Sequence, residues 1–225
     1  MVDMLSTAAT NDAAMCGQLD YERVEGDFYP TPPEYVDCLA HFIDMSRLSV
    51  WEPACGEGHI SKRLIQLGAY VISTDLFDRG YGKAPLDFLK CPRIPPALLA
   101  DRRPAIITNP PYGDVAEQFV AAALELTAPV DGMVAMFMRN EWDMASGRDH
   151  LFEGHPAFML KIAVTKRPRW IEGSKGSPRH SYAWYVWDWD FARHDPRARD
   201  GASIRYIHPK NARPLGGVQE NLTCH

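Results

Sequence analysis

An α/β fold, with a mostly parallel sheet covered by helices on both faces, is what this sequence predicts, and three observations predict it. Short apolar runs alternate with helical stretches from residue 31 to 138, the pattern of parallel strands buried under helices. A glycine-containing turn, Ala54-Cys55-Gly56-Glu57-Gly58, joins the first such run to the next helical stretch. Later, two strand-like runs, Phe158 to Thr165 and Tyr182 to Trp189, follow each other with no helix between them. They are expected to pair antiparallel at the sheet edge.

Residues 1–20 are rich in Ala, Thr and Asp without periodicity and read as a flexible leader, leaving 21–225 as a single domain. Thr31 can cap a first helix, with Pro32 and Pro33 in its first turn and Val36, Leu39, Ala40 and Ile43 on one apolar face. Leu48 to Trp51 reads as a strand. After the glycine turn, Ile60, Leu64 and Leu67 mark a helix that Gly68 stops. Tyr70 to Thr74 is the next strand and ends in Asp75, and Pro85 to Leu89 is a short strand or turn around Asp87. Ala105 to Thr108 is a buried strand, followed by a helix near Ala116 to Leu126 and a strand from Gly132 to Met138. Ser203 to Ile207 is a possible last short strand in a polar tail.

The apolar fraction of 46% in 225 residues is enough for a large core. No apolar run approaches the ~20 residues of a membrane span, and the N-terminus lacks the pattern of a secretory signal. Cys16, Cys38, Cys55, Cys91 and Cys224 form no C-x-x-C pair, which argues against structural zinc and a disulfide framework and for a cytoplasmic protein. The net charge of −5 is uneven: residues 1–138 hold 10 Lys+Arg against 19 Asp+Glu, and residues 139–225 hold 14 against 10. Lys161, Lys166, Arg167, Arg169, Lys175 and Arg179 face one acid, Glu172, within 161–180. Such a stripe can bind a polyanion or be a solvated loop, and the connection 166–181 is long for a hairpin.

The chemistry concentrates at Asn109-Pro110-Pro111-Tyr112, directly after a buried strand. The prolines stiffen the turn and remove two backbone donors, so an acceptor-rich corner stands beside an aromatic face. A planar amino group fits such a corner. In the glycine turn, Gly56 and Gly58 let backbone approach a ligand, but the third position of a G-x-G-x-x-G pyrophosphate fingerprint is Ser61. Asp75 stands where a carboxylate accepts ribose hydroxyls, or else it is a turn residue. Asp87-Phe88 reads as an adenine pocket or as a plain turn. Trp184, Trp187 and Trp189 with Tyr182 and Tyr185 read as core, because they fall on both faces of one strand.

Phe28-Tyr29-Pro30-Thr31-Pro32, Glu52-Pro53-Ala54-Cys55-Gly56-Glu57-Gly58, Asp75, Asp87-Phe88 and Asn109-Pro110-Pro111-Tyr112, in this order, resemble the S-adenosylmethionine-dependent N6-adenine DNA methyltransferases with the γ-type motif order. Arg167-Pro168-Arg169-Trp170 and Tyr182-Ala183-Trp184-Tyr185 look like the compact phage or prophage members. The resemblance covers about residues 28–189. It implies a three-layer αβα Rossmann-like methyltransferase fold whose seven-stranded, mostly parallel sheet has an antiparallel edge strand. It implies S-adenosylmethionine held by Tyr29, Thr31, Glu52, Pro53, Ala54, Cys55, Gly56, Gly58, Asp75, Asp87 and Phe88, with Thr31 at its methionine end. Asn109 and the Pro110 carbonyl would accept from adenine N6, in a corner completed by Pro111 and Tyr112. Tyr112 would stack on a flipped base, with Trp170 or Trp142 closing its other face, and Lys166, Arg167, Arg169, Lys175 and Arg179 would touch DNA. No metal takes part, and the protein would be a monomer or weak dimer. The chain is short of a recognition region, which implies a short target or weak sequence preference. RNA adenine is the second substrate, ahead of cytosine N4 and a protein glutamine amide. A nucleotide-binding Rossmann module is the alternative outside this chemistry.

Overall fold

Seven strands form one twisted sheet in the computed structural model, which describes residues 29–170 and 179–216. In chain order they are β1 (Leu48–Glu52), β2 (Tyr70–Ser73), β3 (Arg103–Thr108), β4 (Met133–Arg139), β5 (Phe158–Val164), β6 (Tyr182–Asp188) and β7 (Ser203–Ile207). Their order across the sheet is β2-β1-β3-β4-β6-β5-β7. All neighbouring pairs are parallel except β4–β6 and β6–β5. The helices are α1 (Pro33–Ala40), α2 (His59–Gln66), α3 (Asp114–Thr127), α4 (Asp149–Phe152) and α5 (Trp189–His194).

Alternation along the strands feeds two cores. Val50, Ala105, Ile107, Phe137 and Trp184 face one layer, where Tyr35 and Leu39 of α1 and Leu64 of α2 cover them. Trp51, Ile106, Val134, Tyr185 and Trp187 face the other, under Phe119, Val120 and Ala123 of α3. Strands buried on both faces explain the unbroken apolar runs. The β6 aromatics are core, and their polar tips are satisfied: the Trp184 indole N–H donates to Tyr35 O at 2.8 Å and that of Trp187 to Leu151 O at 2.8 Å. The described helices include none long and apolar enough to cross a membrane.

The antiparallel pair forms as the sequence predicts, but it is not the margin of the sheet. Ser203–Ile207 adds in parallel outside β5, so β7 is the edge and β6 lies inside, between β4 and β5. Thr31 does not cap α1. Pro32 holds the cap position, and the Thr31 hydroxyl turns inward to another partner. Pro85 to Leu89 is no strand; Thr74 bridges Lys83 once, and Phe88–Lys90 forms a 3₁₀ turn capped by Asp87. Trp189 leaves the sheet because the Asp188 carboxylate accepts from Phe191 N at 2.9 Å and starts α5 there. The leader and Lys175 lie outside the described residues.

Candidate active site

The carboxyl ends of β1, β2 and β3 point to one side, the side where open α/β sheets hold ligands. Asn109 follows β3 directly. Its amide nitrogen donates to Tyr29 O at 3.3 Å and to Thr31 Oγ1 at 3.2 Å. With both donors committed, the side-chain flip is set by the network. The other end of the amide, Oδ1, is buried and has no hydrogen-bond partner among the described residues. A buried acceptor without a donor costs about 1–3 kcal/mol, so Oδ1 is a candidate acceptor for an N–H from outside the chain. Thr31, expected to serve a helix cap or a cofactor, is thus the residue that orients Asn109. No local signal in the sequence ties residue 31 to residue 109.

Beside Asn109 lies a cavity of about 590 Å³, within the usual size of small-ligand sites. Of the residues expected to hold a cofactor, Tyr29, Thr31, Glu52, Pro53, Ala54, Cys55, Asp75, Asp87 and Phe88 line it, together with Asn109, Pro111 and Tyr112. Pro110 is buried beneath. The Phe88 ring sits 5.2 Å from Trp51 and 4.8 Å from Phe119, giving the cavity an apolar floor. Leu76 and Phe77, directly after Asp75, and Val115 and Phe119, one turn apart on α3, also line it. Their spacing after a strand end and along a helix was the available signal for them.

The two glycines do different work from direct ligand contact. Gly56 N donates to Asp75 Oδ2 at 2.7 Å, and Phe77 N donates to Asp75 Oδ1 at 2.9 Å. Asp75 therefore ties the glycine turn to the end of β2 while its carboxylate still faces the cavity. Gly58 has φ 79° and stands against the Tyr81 ring, where a Cβ would collide; it is not part of the cavity wall. Asp87 is likewise both turn and wall: its Oδ1 accepts from Leu89 N at 3.1 Å, and the ammonium of Lys90, 2.9 Å away, lowers its pKa. Glu52 is 1% exposed, and its carboxyl accepts from the Ser61 hydroxyl, which also meets Ser73 Oγ at 2.5 Å. Burial pushes Glu52 up to about 8. The Cys55 thiol is pushed up to about 12 by burial, so it is not a nucleophile at neutral pH.

Tyr112 packs 5.3 Å from the Tyr29 ring and 6.3 Å from Tyr182. Burial, with Tyr182 beside it, holds its phenol well above the ordinary range and therefore neutral. Trp170 joins this group, 5.7 Å from Tyr29 and 5.0 Å from Tyr182. Trp142 does not; its ring meets Phe152, Tyr185 and the Arg148 guanidinium, none of which lines the cavity. Arg167, Arg169 and Arg179 are exposed, and Lys166 pairs with Glu34 at 3.2 Å. Lys161, counted with the basic stripe, is not on it. It is 5% exposed, and its ammonium donates to Asn140 O at 2.7 Å and to both oxygens of Asp143 at 2.9 and 2.7 Å.

No protein-family model matches the chain, and no curated protein matches its sequence. Among solved structures, a candidate RNA methyltransferase from Pyrococcus horikoshii is 18% identical and aligns over 78% of this chain and 94% of its own, with a TM-score of 0.55. A candidate class I S-adenosylmethionine-dependent methyltransferase from Listeria monocytogenes is 13% identical over 84% of this chain and 68% of its own, with a TM-score of 0.51. These likenesses establish the Rossmann-like methyltransferase fold.

Proposed function

We propose that the chain transfers a methyl group from S-adenosylmethionine to the exocyclic N6 of adenine in DNA, with a short or weakly preferred target. The observation that carries this reading is the buried Oδ1 of Asn109, a residue of the cavity wall, which has no partner among the described residues. The donor set of the cavity fits the cofactor. The carboxylates of Asp75 and Asp87 and the protonated carboxyl of Glu52 suit a ligand with an ammonium, ribose hydroxyls and an adenine amino group, and Phe88, Leu76 and Phe77 suit its ring. A pyrophosphate would need free N–H groups in the glycine turn, and Gly56 N already serves Asp75. When bound, the cofactor supplies an electrophilic methyl on a sulfonium.

The chain's own part is positioning and preorganised dipoles. Asn109 Oδ1 and the Pro110 carbonyl accept the two N6 hydrogens, which localises the nitrogen lone pair and aims it. Tyr29 O and Thr31 Oγ1 hold the Asn109 amide so that only oxygen faces the base. Tyr112, kept neutral, offers its ring to a base flipped from the helix. The exposed arginines of 167–179 favour a polyanion over a peptide amide.

Tritiated cofactor incubated separately with duplex DNA, single-stranded DNA, tRNA and rRNA tests the substrate. Label should enter DNA as N6-methyladenine; label in RNA alone would replace the DNA assignment, and label on cytosine N4 or glutamine would replace adenine. Calorimetry should show binding of S-adenosylhomocysteine and not of NAD. Asn109→Ala should lower transfer by at least 100-fold, the scale of losing a preorganised dipole at the reacting group. Its affinity for S-adenosylhomocysteine should stay within a few-fold, and loss of that affinity would refute the role given to Asn109.

A further inference from the structure

Resting on that reading, we propose that Arg139, Arg167, Arg179 and His180 form one anion site that takes a phosphate of the target strand, and that His180 gains a proton as the phosphate docks. The strand register brings these groups together. Tyr182 of β6 pairs with Arg139 of β4 on one side and with Val164 of β5 on the other. Arg139 at the end of β4, Arg167 just past β5 and the Arg179–His180 entry into β6 therefore emerge side by side. Asn140 N donates to Ser181 O at 2.9 Å and fixes two of these segments to each other.

The platform is rigid. Lys161 and Asp143 lock the segment after Arg139 from below, and Tyr185 Oη donates to Arg139 O at 3.0 Å and Asn140 O at 2.8 Å. Tyr35 Oη donates to Lys166 O at 3.4 Å and holds the base of the Arg167 segment. The cluster adjoins the catalytic corner, since Tyr182 is the ring that stands 6.3 Å from Tyr112.

Among the described residues, Arg139, Arg179 and Arg167 face His180 with positive charge and Glu141 with negative. Burial first, and then the arginines, hold His180 below its ordinary value, so it is neutral at physiological pH. Positive charge from three segments around one imidazole suits a phosphate. A phosphate on them would cancel the repulsion that keeps His180 neutral. The imidazole would then hold a proton at both nitrogens and donate to the anion. Binding takes up a proton, so affinity rises as pH falls from the bound-state value to the free-state value, by at most tenfold per pH unit, and is flat below.

The test uses the full chain, saturated with S-adenosylhomocysteine, and a fluorescent adenine-containing oligodeoxynucleotide, with anisotropy read from pH 5 to 8 and from 50 to 200 mM salt. Wild type should bind more tightly as pH falls, and His180→Gln should lose that dependence. Arg139→Gln and Arg179→Gln should each flatten the slope of log affinity against log salt by about 0.7–0.9. A His180→Gln profile parallel to wild type, or unchanged salt slopes in both arginine variants, would overturn the site. An NMR titration of His180 with inorganic phosphate separates the two sources of the anion. If free phosphate at millimolar concentration raises its pKa as far as the oligonucleotide does, the site belongs to a free anion, and the target-strand assignment falls. Methyl transfer to the same oligonucleotide is measured in parallel. Transfer without the His180 linkage overturns the anion site alone, whereas binding with the linkage but no transfer to any nucleic acid overturns the reading of the Asn109 corner.

Discussion

Glu52 should make the folded protein less stable as pH rises, and Glu52→Gln should abolish that trend. Glu52 closes β1 at 1% exposure, and its carboxyl accepts from Ser61. Burial, opposed by that hydrogen bond and reinforced by the charge of Asp75, pushes its pKa from 4.5 to about 8. Between these values the folded state keeps a proton that the unfolded chain has lost. Stability then falls with pH across this window, is fully present below about 4.5 and levels off above about 8. Each pH unit is worth 1.36 kcal/mol, so the three units from pH 5 to 8 amount to ~4 kcal/mol, a large share of the 5–15 kcal/mol that holds a domain together. Glutamine keeps the acceptor for Ser61 and carries no titration. Urea unfolding of both proteins at pH 5, 6, 7 and 8 gives the difference directly, because all other titrating groups cancel. Wild type should lose up to ~4 kcal/mol relative to the variant over that range. Parallel stability profiles, or a wild type that gains on the variant as pH rises, would refute the buried, protonated Glu52.

Gly58→Ala should lower stability by ~1–3 kcal/mol, because the left-handed φ of 79° disfavours any side chain and the Tyr81 ring fills the space a Cβ needs; a melting temperature equal to wild type would count against that packing. Lys161→Met should cost about 3–5 kcal/mol in urea unfolding, since it leaves Asp143, 16% exposed, without its ion-pair partner. A loss below about 1 kcal/mol would show that this pair is solvated.

The parts of the fold that depend on neighbours in sequence were readable in advance, and the parts that depend on distant neighbours were not. Periodicity reports that Tyr182 to Asp188 is buried on both faces, and it was enough to pair β5 with β6. It says nothing of which strand lies beyond them, so Ser203–Ile207 was visible as a strand and not as the edge. Proline at positions 32 and 33 correctly signalled the start of α1, but a threonine before two prolines looks the same whether it caps a helix or meets an amide 78 residues away. Lys161 shows the same limit. Beside Arg167 and Arg169 it reads as one more surface cation, because nothing local reveals that Asp143 waits on the adjoining segment. The cavity residues were legible where they sat in glycine, carboxylate or proline turns, which have few physical uses. Leu76, Phe77, Val115 and Phe119 have a telling spacing after a strand end and along a helix, but as ordinary apolar residues they are told from core only by the cavity they face.

The net charge of −5 conceals a division of labour along the chain. Every residue lining the cavity lies between 29 and 119, within the half that carries the excess of acids, and Glu52, Asp75 and Asp87 face inward there. Arg139, Arg167, Arg179 and His180 all come from the half with the excess of bases. Under the proposed function, a cofactor with ammonium and sulfonium groups and a polyanionic target would make opposite electrostatic demands within one site. β1 and β2 deliver Glu52 and Asp75 to the cavity beside Asn109, while Arg139 at the end of β4, Arg167 past β5 and Arg179 before β6 lie toward Tyr182, which adjoins Tyr112. Asn109 itself carries no charge. Its nitrogen is tied to Tyr29 O and Thr31 Oγ1, so under the proposed function its oxygen would accept from an incoming amino group without adding charge to either set.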